Sequence, residues 1–290
     1  MLFRLTKPST PPGVGASCLR KKFPRHVCQA CVSICPVNAI SLSPAGPEIN
    51  DDECIRCGNC LFACPVDALQ NLQPATRKYK NFSLVAPFSS VAPSVGELLM
   101  WHYLHRIRSV EMEIDNYPGW VEAVAALNIR LREFNAPVWQ ILSPQPKAVD
   151  IARRRLLPTN EVDVQSGVVA CGRRARRQAF HGMSEYQLSL DTLQCMLCGA
   201  CSRACPEEAI CFTDGAFEFS SSICTGCLSC EAVCPVQSIY IKRLPGEKSV
   251  SRLPYMEKRC DCCQRKFYTF SPEADCCPIC QRHTYGMREA

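Results

Sequence analysis

No stretch of this chain approaches the apolar run that a helix needs to cross a bilayer. The first residues, MLFRLTKPSTPPGVGASC, also lack the uninterrupted apolar segment of a secretory signal. The expected compartment is therefore the reducing cytoplasm. Also missing are G-x-G-x-x-G and G-x-x-x-x-G-K-[ST], the glycine patterns that cradle the phosphates of dinucleotides and nucleoside triphosphates. The basic residues are not interleaved with aromatics and form no recognised nucleic-acid motif, so a nucleic-acid partner is not expected. Against these absences stand 24 cysteines in 290 residues of ordinary composition, 47% of them apolar. The length allows two or more domains. The cysteines form tight runs and are not scattered at the wide spacings of a secreted disulfide scaffold, so they point to bound metal.

Three stretches fit C-x2-C-x2-C-x3-C-P completely: Cys54, Cys57, Cys60, Cys64-Pro65; Cys195, Cys198, Cys201, Cys205-Pro206; and Cys224, Cys227, Cys230, Cys234-Pro235. A fourth has Cys28, Cys31 and Cys35-Pro36 in place but Arg25 at the first position. A shift of 170 residues lays CQACVSICPVNAI on CGACSRACPEEAI without a gap, and Cys54 to Cys64 on Cys224 to Cys234. The chain therefore holds an internal duplication, and Arg25 falls on Cys195.

Both halves of the duplication resemble two-cluster bacterial ferredoxins, on motifs of high specificity. The resemblance implies that three cysteines of a run bind one 4Fe-4S cluster and that the fourth reaches the neighbouring cluster. Carried over, one cluster takes Cys54, Cys57, Cys60 and Cys35. A second takes Cys195, Cys198, Cys201 and Cys234, and a third takes Cys224, Cys227, Cys230 and Cys205. The remaining site has Cys28, Cys31 and Cys64. Cys18 is the nearby candidate for its fourth ligand, reached through the loop LRKKFPRHV; the alternative is a 3Fe-4S cluster with Cys18 free. Arg20, Lys21, Lys22 and Arg25 then lie beside a negative cluster whose reduced state they would favour, unless they form a solvated loop. The formal charge of +6 counts every cysteine as a neutral thiol. With four clusters and one tetrathiolate zinc it becomes about −4, which weakens the nucleic-acid reading further.

From about Phe82 to Phe180 the cysteine pattern stops. FSLVAPF, SVEMEI and PVWQIL read as strands, and between them lie two helices. One has Met100, Tyr103, Leu104 and Ile107 on one face, the other Trp120, Val124, Leu127, Leu131 and Phe134. A further helix is expected with Val149, Ala152 and Leu156 on one side, leading to GVVACG. Alternating strands and helices imply parallel pairing and a small α/β domain. His102 and His105 are one helical turn apart but are better read as satisfied structural histidines than as metal ligands. Arg153 to Arg155 and Arg173, Arg174, Arg176 and Arg177 suggest a basic surface for an acidic redox partner, with RNA or membrane headgroups as the alternatives. Cys171 and Cys211 fall outside every run; both read most simply as packing residues, with a reactive or stray-ligand role as the alternative for Cys171.

The tail carries Cys260-x2-Cys263 and Cys277-x2-Cys280, a pattern that resembles a zinc ribbon or a rubredoxin-like site. Gln264 and Gln281 stand where rubredoxins commonly place glycine, so structural zinc is preferred over iron. Cys262 and Cys276 adjoin the proposed ligands and are able to replace them or to pair under oxidation.

The expected fold class is α+β with an inserted α/β domain. Residues 1–80 form ferredoxin-like module 1, 81–180 the insert, 181–250 module 2 and 251–290 the zinc-ribbon-like tail. The expected function is iron-sulfur electron transfer to or from a partner oxidoreductase, with the protein acting as a carrier or as a subunit of a larger complex. The competing readings are a catalytic oxidoreductase whose insert binds a substrate or flavin, and a zinc-ribbon scaffold associated with nucleic acid.

Overall fold

The structure, a computed structural model, describes residues 10–144 and 164–282. The helix expected around Val149, Ala152 and Leu156, and Arg153 to Arg155, lie outside the described residues. Contacts divide the chain into two compact units. One runs to Pro24 and from Cys28 to Phe180; the other joins Arg25–Val27 to the residues from His181 onward.

The first unit opens with β1 (Gly13–Val14), α1 (Leu19–Lys22) and α2 (Ala30–Ser33). A hairpin of β2 (Ile40–Ser43) and β3 (Gly46–Ile49) follows, then α3 (Asn59–Ala63) and β4 (Leu69–Gln70), which pairs antiparallel with β1. Next come β5 (Arg77–Lys80), β6 (Ser83–Val85), α4 (Val95–Leu104), β7 (Ser109–Glu111), α5 (Pro118–Glu133), β8 (Gln140–Leu142), β9 (Gln165–Gly167) and α6 (Gly172–Ala179). Their strands form one sheet in the order β8-β7-β6-β5-β9. β6, β7 and β8 are mutually parallel, as strands joined by crossover helices should be, while β5 and β9 are antiparallel additions at one side. The sheet thus begins at Arg77, a few residues before residue 81.

α5 starts with Pro118 at its first turn, where the missing N–H costs nothing, and buries Trp120, Val124, Leu127 and Leu131 at helical spacing. α4 corrects the sequence expectation. Its buried residues run continuously from Glu97 to His102, Tyr103 and Leu104 are 44% and 47% exposed, and Ile107 is buried beyond the helix end. The physical reason is that α3, α5 and α6 all pack on this short helix, so no single apolar stripe describes it. Ser94 caps it, accepting a hydrogen bond from the Glu97 N–H at 3.2 Å.

The second unit repeats the first module. β10 (Met183–Leu190) is followed by α7 (Ala200–Ala204), the hairpin of β11 (Ile210–Thr213) and β12 (Ala216–Ser220), α8 (Ser229–Ala232) and β13 (Ile239–Glu247), which pairs with β10. β14 (Val250–Pro254) adds to the hairpin beside β12. Ile210, Phe217, Phe219, Cys230 and Ile239 form its core. The tail consists of a hairpin of β15 (Met256–Arg259) and β16 (Lys266–Thr269), then α9 (Pro278–Arg282). Among the described residues no helix is long and apolar enough to cross a membrane.

Candidate metal centres

The fourth cysteine of every run builds the same turn. The backbone N–H groups of Ala39, Ala68, Ala209 and Ser238 donate to the sulfurs of Cys35, Cys64, Cys205 and Cys234 at 3.3, 3.2, 3.2 and 3.3 Å. Each donor lies four residues after its cysteine. The residue before each donor, Asn38, Asp67, Glu208 and Gln237, has a positive φ of 53°, 50°, 55° and 51°. A non-glycine residue in that region is strained, so its recurrence in four places marks a geometry the turn requires. An N–H aimed at sulfur lowers the energy of the thiolate, the form that binds metal. These donors escape a search for side-chain ligands; their signal is the fixed offset after each Cys-Pro.

In the three complete runs the loop between cysteines carries two further left-handed residues: Arg56 and Gly58, Leu197 and Gly199, Gly226 and Leu228. The altered run does not, since Gln29 has φ −129°. There α1 is lodged between Cys18 and Cys28.

Three small cavities are lined by four cysteines each. The first holds Cys35, Cys54, Cys57 and Cys60. The second holds Cys18, Cys28, Cys31 and Cys64, and the third Cys205, Cys224, Cys227 and Cys230. Cys195, Cys198, Cys201 and Cys234 form a further group, in which Cys195 interacts electrostatically with Cys198 and Cys234, and Cys201 with Cys195 and Cys198. Burial, with the neighbouring sulfurs adding to it, pushes Cys31 up to about 11 and Cys60 up to about 12. Burial raises Cys201 to about 11 as well, and also raises Cys230. Soft sulfur donors crowded around a cavity are poor hosts for bare thiolates and good ones for a polynuclear cation, so the residues fit iron-sulfur clusters.

Cys18 reaches its cavity through a strand register shared by both modules. The Gly15 N–H donates to the Ala68 carbonyl at 2.7 Å, and the Asp191 N–H to the Ser238 carbonyl at 2.8 Å. Ala68 and Ser238 are equivalent under the 170-residue shift. From these fixed points the Cys18 N–H donates to the Gly15 carbonyl at 3.2 Å, and the Cys195 N–H to the Asp191 carbonyl at 3.0 Å. By these bonds Cys18 follows the first module's anchored strand end as Cys195 follows the second's, and Arg25 matches Cys195 only in linear alignment.

In the tail, the sulfurs of Cys260, Cys263, Cys277 and Cys280 all lie within 4.8 Å of one another. Cys262 and Cys276 are joined to each other as a disulfide, with Cα atoms 6.0 Å apart. The two knuckles differ. Gln264 takes a left-handed φ of 60°, whereas Gln281 lies in α9. Burial disfavours the Cys260 thiolate, but the N–H groups of Cys277, Cys263 and Cys262 outweigh it and hold the group low.

The other candidate residues have structural partners. The Nδ1 of His102 accepts a hydrogen bond from the Trp139 indole at 3.0 Å, and His105 packs between Tyr79 and Trp101. Arg173, Arg174, Arg176 and Arg177 lie on α6 and are half-buried. Arg174 donates to the Val66 carbonyl and pairs with Asp67 at 3.1 Å, so part of this basic face is spent on internal packing. Cys171 precedes α6 and is half-buried. Cys211 sits on β11 opposite Glu218 and is likewise half-buried, not enclosed.

His102 gives a pH prediction. Burial, helped by Arg108, lowers its pKa from 6.5 to about 4. Between those values the unfolded chain binds a proton that the folded chain refuses. Stability is therefore full above about pH 6.5 and falls toward pH 4, by on the order of 2–3 kcal/mol. Urea unfolding followed by tryptophan fluorescence should show this slope in the wild type and its loss in His102→Leu.

Duplicated cysteine turns around sulfur-lined cavities define a protein built to hold iron-sulfur clusters. Comparison with known proteins makes the class specific. A model of the 4Fe-4S dicluster domain matches residues 26–68 and again 194–238. Over 59 residues the chain is 36% identical to Ferredoxin YfhL of Escherichia coli, covering 69% of that protein and 18% of this one. Over 53 residues it is 34% identical to Ferredoxin 7Fe of Hydrogenibacillus schlegelii, covering 68% of it and 18% of this chain. The chain belongs to the ferredoxin family and binds 4Fe-4S clusters. It is also 34% identical over 79 residues to Ferredoxin-1 of Caulobacter vibrioides, spanning 66% of that relative and 27% of this chain. It spans smaller shares, 26% and 32%, of two uncharacterized ferredoxins from Methanocaldococcus jannaschii.

Proposed function

We propose that this chain carries four 4Fe-4S clusters and passes single electrons to or from a partner oxidoreductase in a reducing compartment. The ligand sets are Cys18, Cys28, Cys31 and Cys64; Cys35, Cys54, Cys57 and Cys60; Cys195, Cys198, Cys201 and Cys234; and Cys205, Cys224, Cys227 and Cys230. The observation that carries this reading is the lining of three separate cavities by one such set each, with the fourth cysteine always coming from the neighbouring run. Bound clusters supply one-electron redox chemistry. The protein's own contribution is to hold the sulfurs, aim N–H donors at Cys35, Cys64, Cys205 and Cys234, and wall the sites with apolar residues. No side chain needs to move a proton. Cys260, Cys263, Cys277 and Cys280 hold one structural zinc, a tetrahedral role that suits four converging thiolates.

Anaerobic purification with iron, sulfide and zinc analysis tests the reading. About sixteen irons and about one zinc per chain are expected. About twelve irons or fewer after full reconstitution, the content of three clusters, would remove the four-cluster claim.

A further inference from the structure

The two modules treat one backbone oxygen alike by different means. In the first, the Arg20 Nε donates to the carbonyl oxygen of Cys28 at 2.6 Å. In the second, the Arg203 Nη2 donates to the carbonyl oxygen of Cys198 at 3.0 Å. Cys28 and Cys198 are equivalent under the 170-residue shift, but the arginines are not. Arg203 lies within α7 and falls on Ser33, whose hydroxyl donates to the Gln29 carbonyl at 3.0 Å instead. Arg20 comes from α1, the segment inserted between Cys18 and Cys28. Common descent explains why duplicated copies share a cysteine; it does not explain a guanidinium delivered to the same oxygen from unrelated positions. The shared feature is the charge beside that cysteine.

We propose that Arg20 and Arg203 are positioning residues that raise the reduction potentials of two clusters. Arg20 acts on the one held by Cys18, Cys28, Cys31 and Cys64, and Arg203 on the one held by Cys195, Cys198, Cys201 and Cys234. This rests on the four-cluster reading above. A guanidinium stays charged at every relevant pH, and its hydrogen bond to a ligand's own backbone keeps that charge from swinging into solvent. Fixed positive charge favours the more negative, reduced form of a nearby cluster. Arg20 is half-buried and closely bonded, while Arg203 is exposed, so water and salt screen Arg203 more. The first module therefore receives the larger effect, and the duplication yields two related clusters of unequal potential.

The test is an anaerobic redox titration of the full reconstituted chain, followed by electron paramagnetic resonance, with iron and sulfide measured on every sample. Arg20→Met keeps the length of the side chain and removes the charge. It is expected to disfavour reduction of one component about tenfold, equivalent to about 59 mV for one electron. Arg203→Met is expected to displace a different component by about threefold, and Arg20→Lys to restore most of the first shift. Full iron with no component displaced in either methionine variant overturns the proposal. So does Arg20→Met that loses iron while the surviving components titrate as in wild type, since the arginine would then be a structural staple. A wild type short of iron would instead count against the four-cluster reading, whatever the arginines do.

Discussion

Cys18→Ala is expected to lower the iron content of the reconstituted protein from about sixteen per chain by between one and four atoms, with the loss confined to a single cluster. Cys195→Ala in the second module should give the same deficit. The two substitutions belong together because the strand pairing hangs both cysteines from equivalent carbonyl-bonded positions, Gly15 and Asp191. Cys18 is buried and lines the same cavity as Cys28, Cys31 and Cys64. α1 merely lengthens the path from Cys18 to Cys28. The competing account is a three-iron cluster beside a free Cys18. It makes the opposite prediction: about fifteen irons in the wild type, unchanged by the substitution. Iron analysis alone separates the two, and the Cys195→Ala protein calibrates what loss of one ligand does in this fold.

How much of this was legible in advance follows the strength of each constraint. Cluster ligation fixes cysteine spacing within a few residues, so the runs and their 170-residue repeat stood out. The parallel strands β6, β7 and β8 showed as apolar segments separated by helical spacing. β5 and β9, RKYK and QSG, carry no apolar pattern because they only extend the sheet sideways, and their pairing joins residues far apart in sequence. The face of α4 departs from periodicity because three helices pack on Glu97 to His102 while its last turn, Tyr103 and Leu104, faces water. Linear alignment puts Arg25 opposite Cys195, whereas the strand register puts Cys18 there, since a seven-residue insertion between Cys18 and Cys28 is invisible to a gapless shift. The recurring left-handed residues Asn38, Asp67, Glu208 and Gln237 are all acids or amides, types too common along the chain to mark a turn by themselves, and the fixed backbone position is what singles them out.

Glu97→Gln is expected to destabilise the first unit by about 3–5 kcal/mol, which makes it the most damaging single change proposed outside the cysteines. Arg77 on β5 and Glu97 on α4 form a two-pronged ion pair, 2.8 and 3.0 Å long, with side chains only 7% and 0% exposed. Arg77 also donates to the Ser89 hydroxyl at 2.7 Å and lies over the Trp120 ring, 5.1 Å from its centre. Neutralising Glu97 leaves a guanidinium enclosed with no counter-charge, and desolvation of that charge sets the cost. The pair as a whole is worth far less than its rupture suggests, because enclosing both charges is itself expensive. Arg77→Met combined with Glu97→Leu should therefore fall within about 1–2 kcal/mol of wild type. Urea unfolding followed by tryptophan fluorescence resolves this, since Trp101, Trp120 and Trp139 all lie in the first unit and report its unfolding alone. If Glu97→Gln costs under about 1 kcal/mol, water reaches the guanidinium and the enclosure argument fails. If the double variant is as unstable as the single one, the pair instead fixes the docking of α4 on the sheet by its geometry.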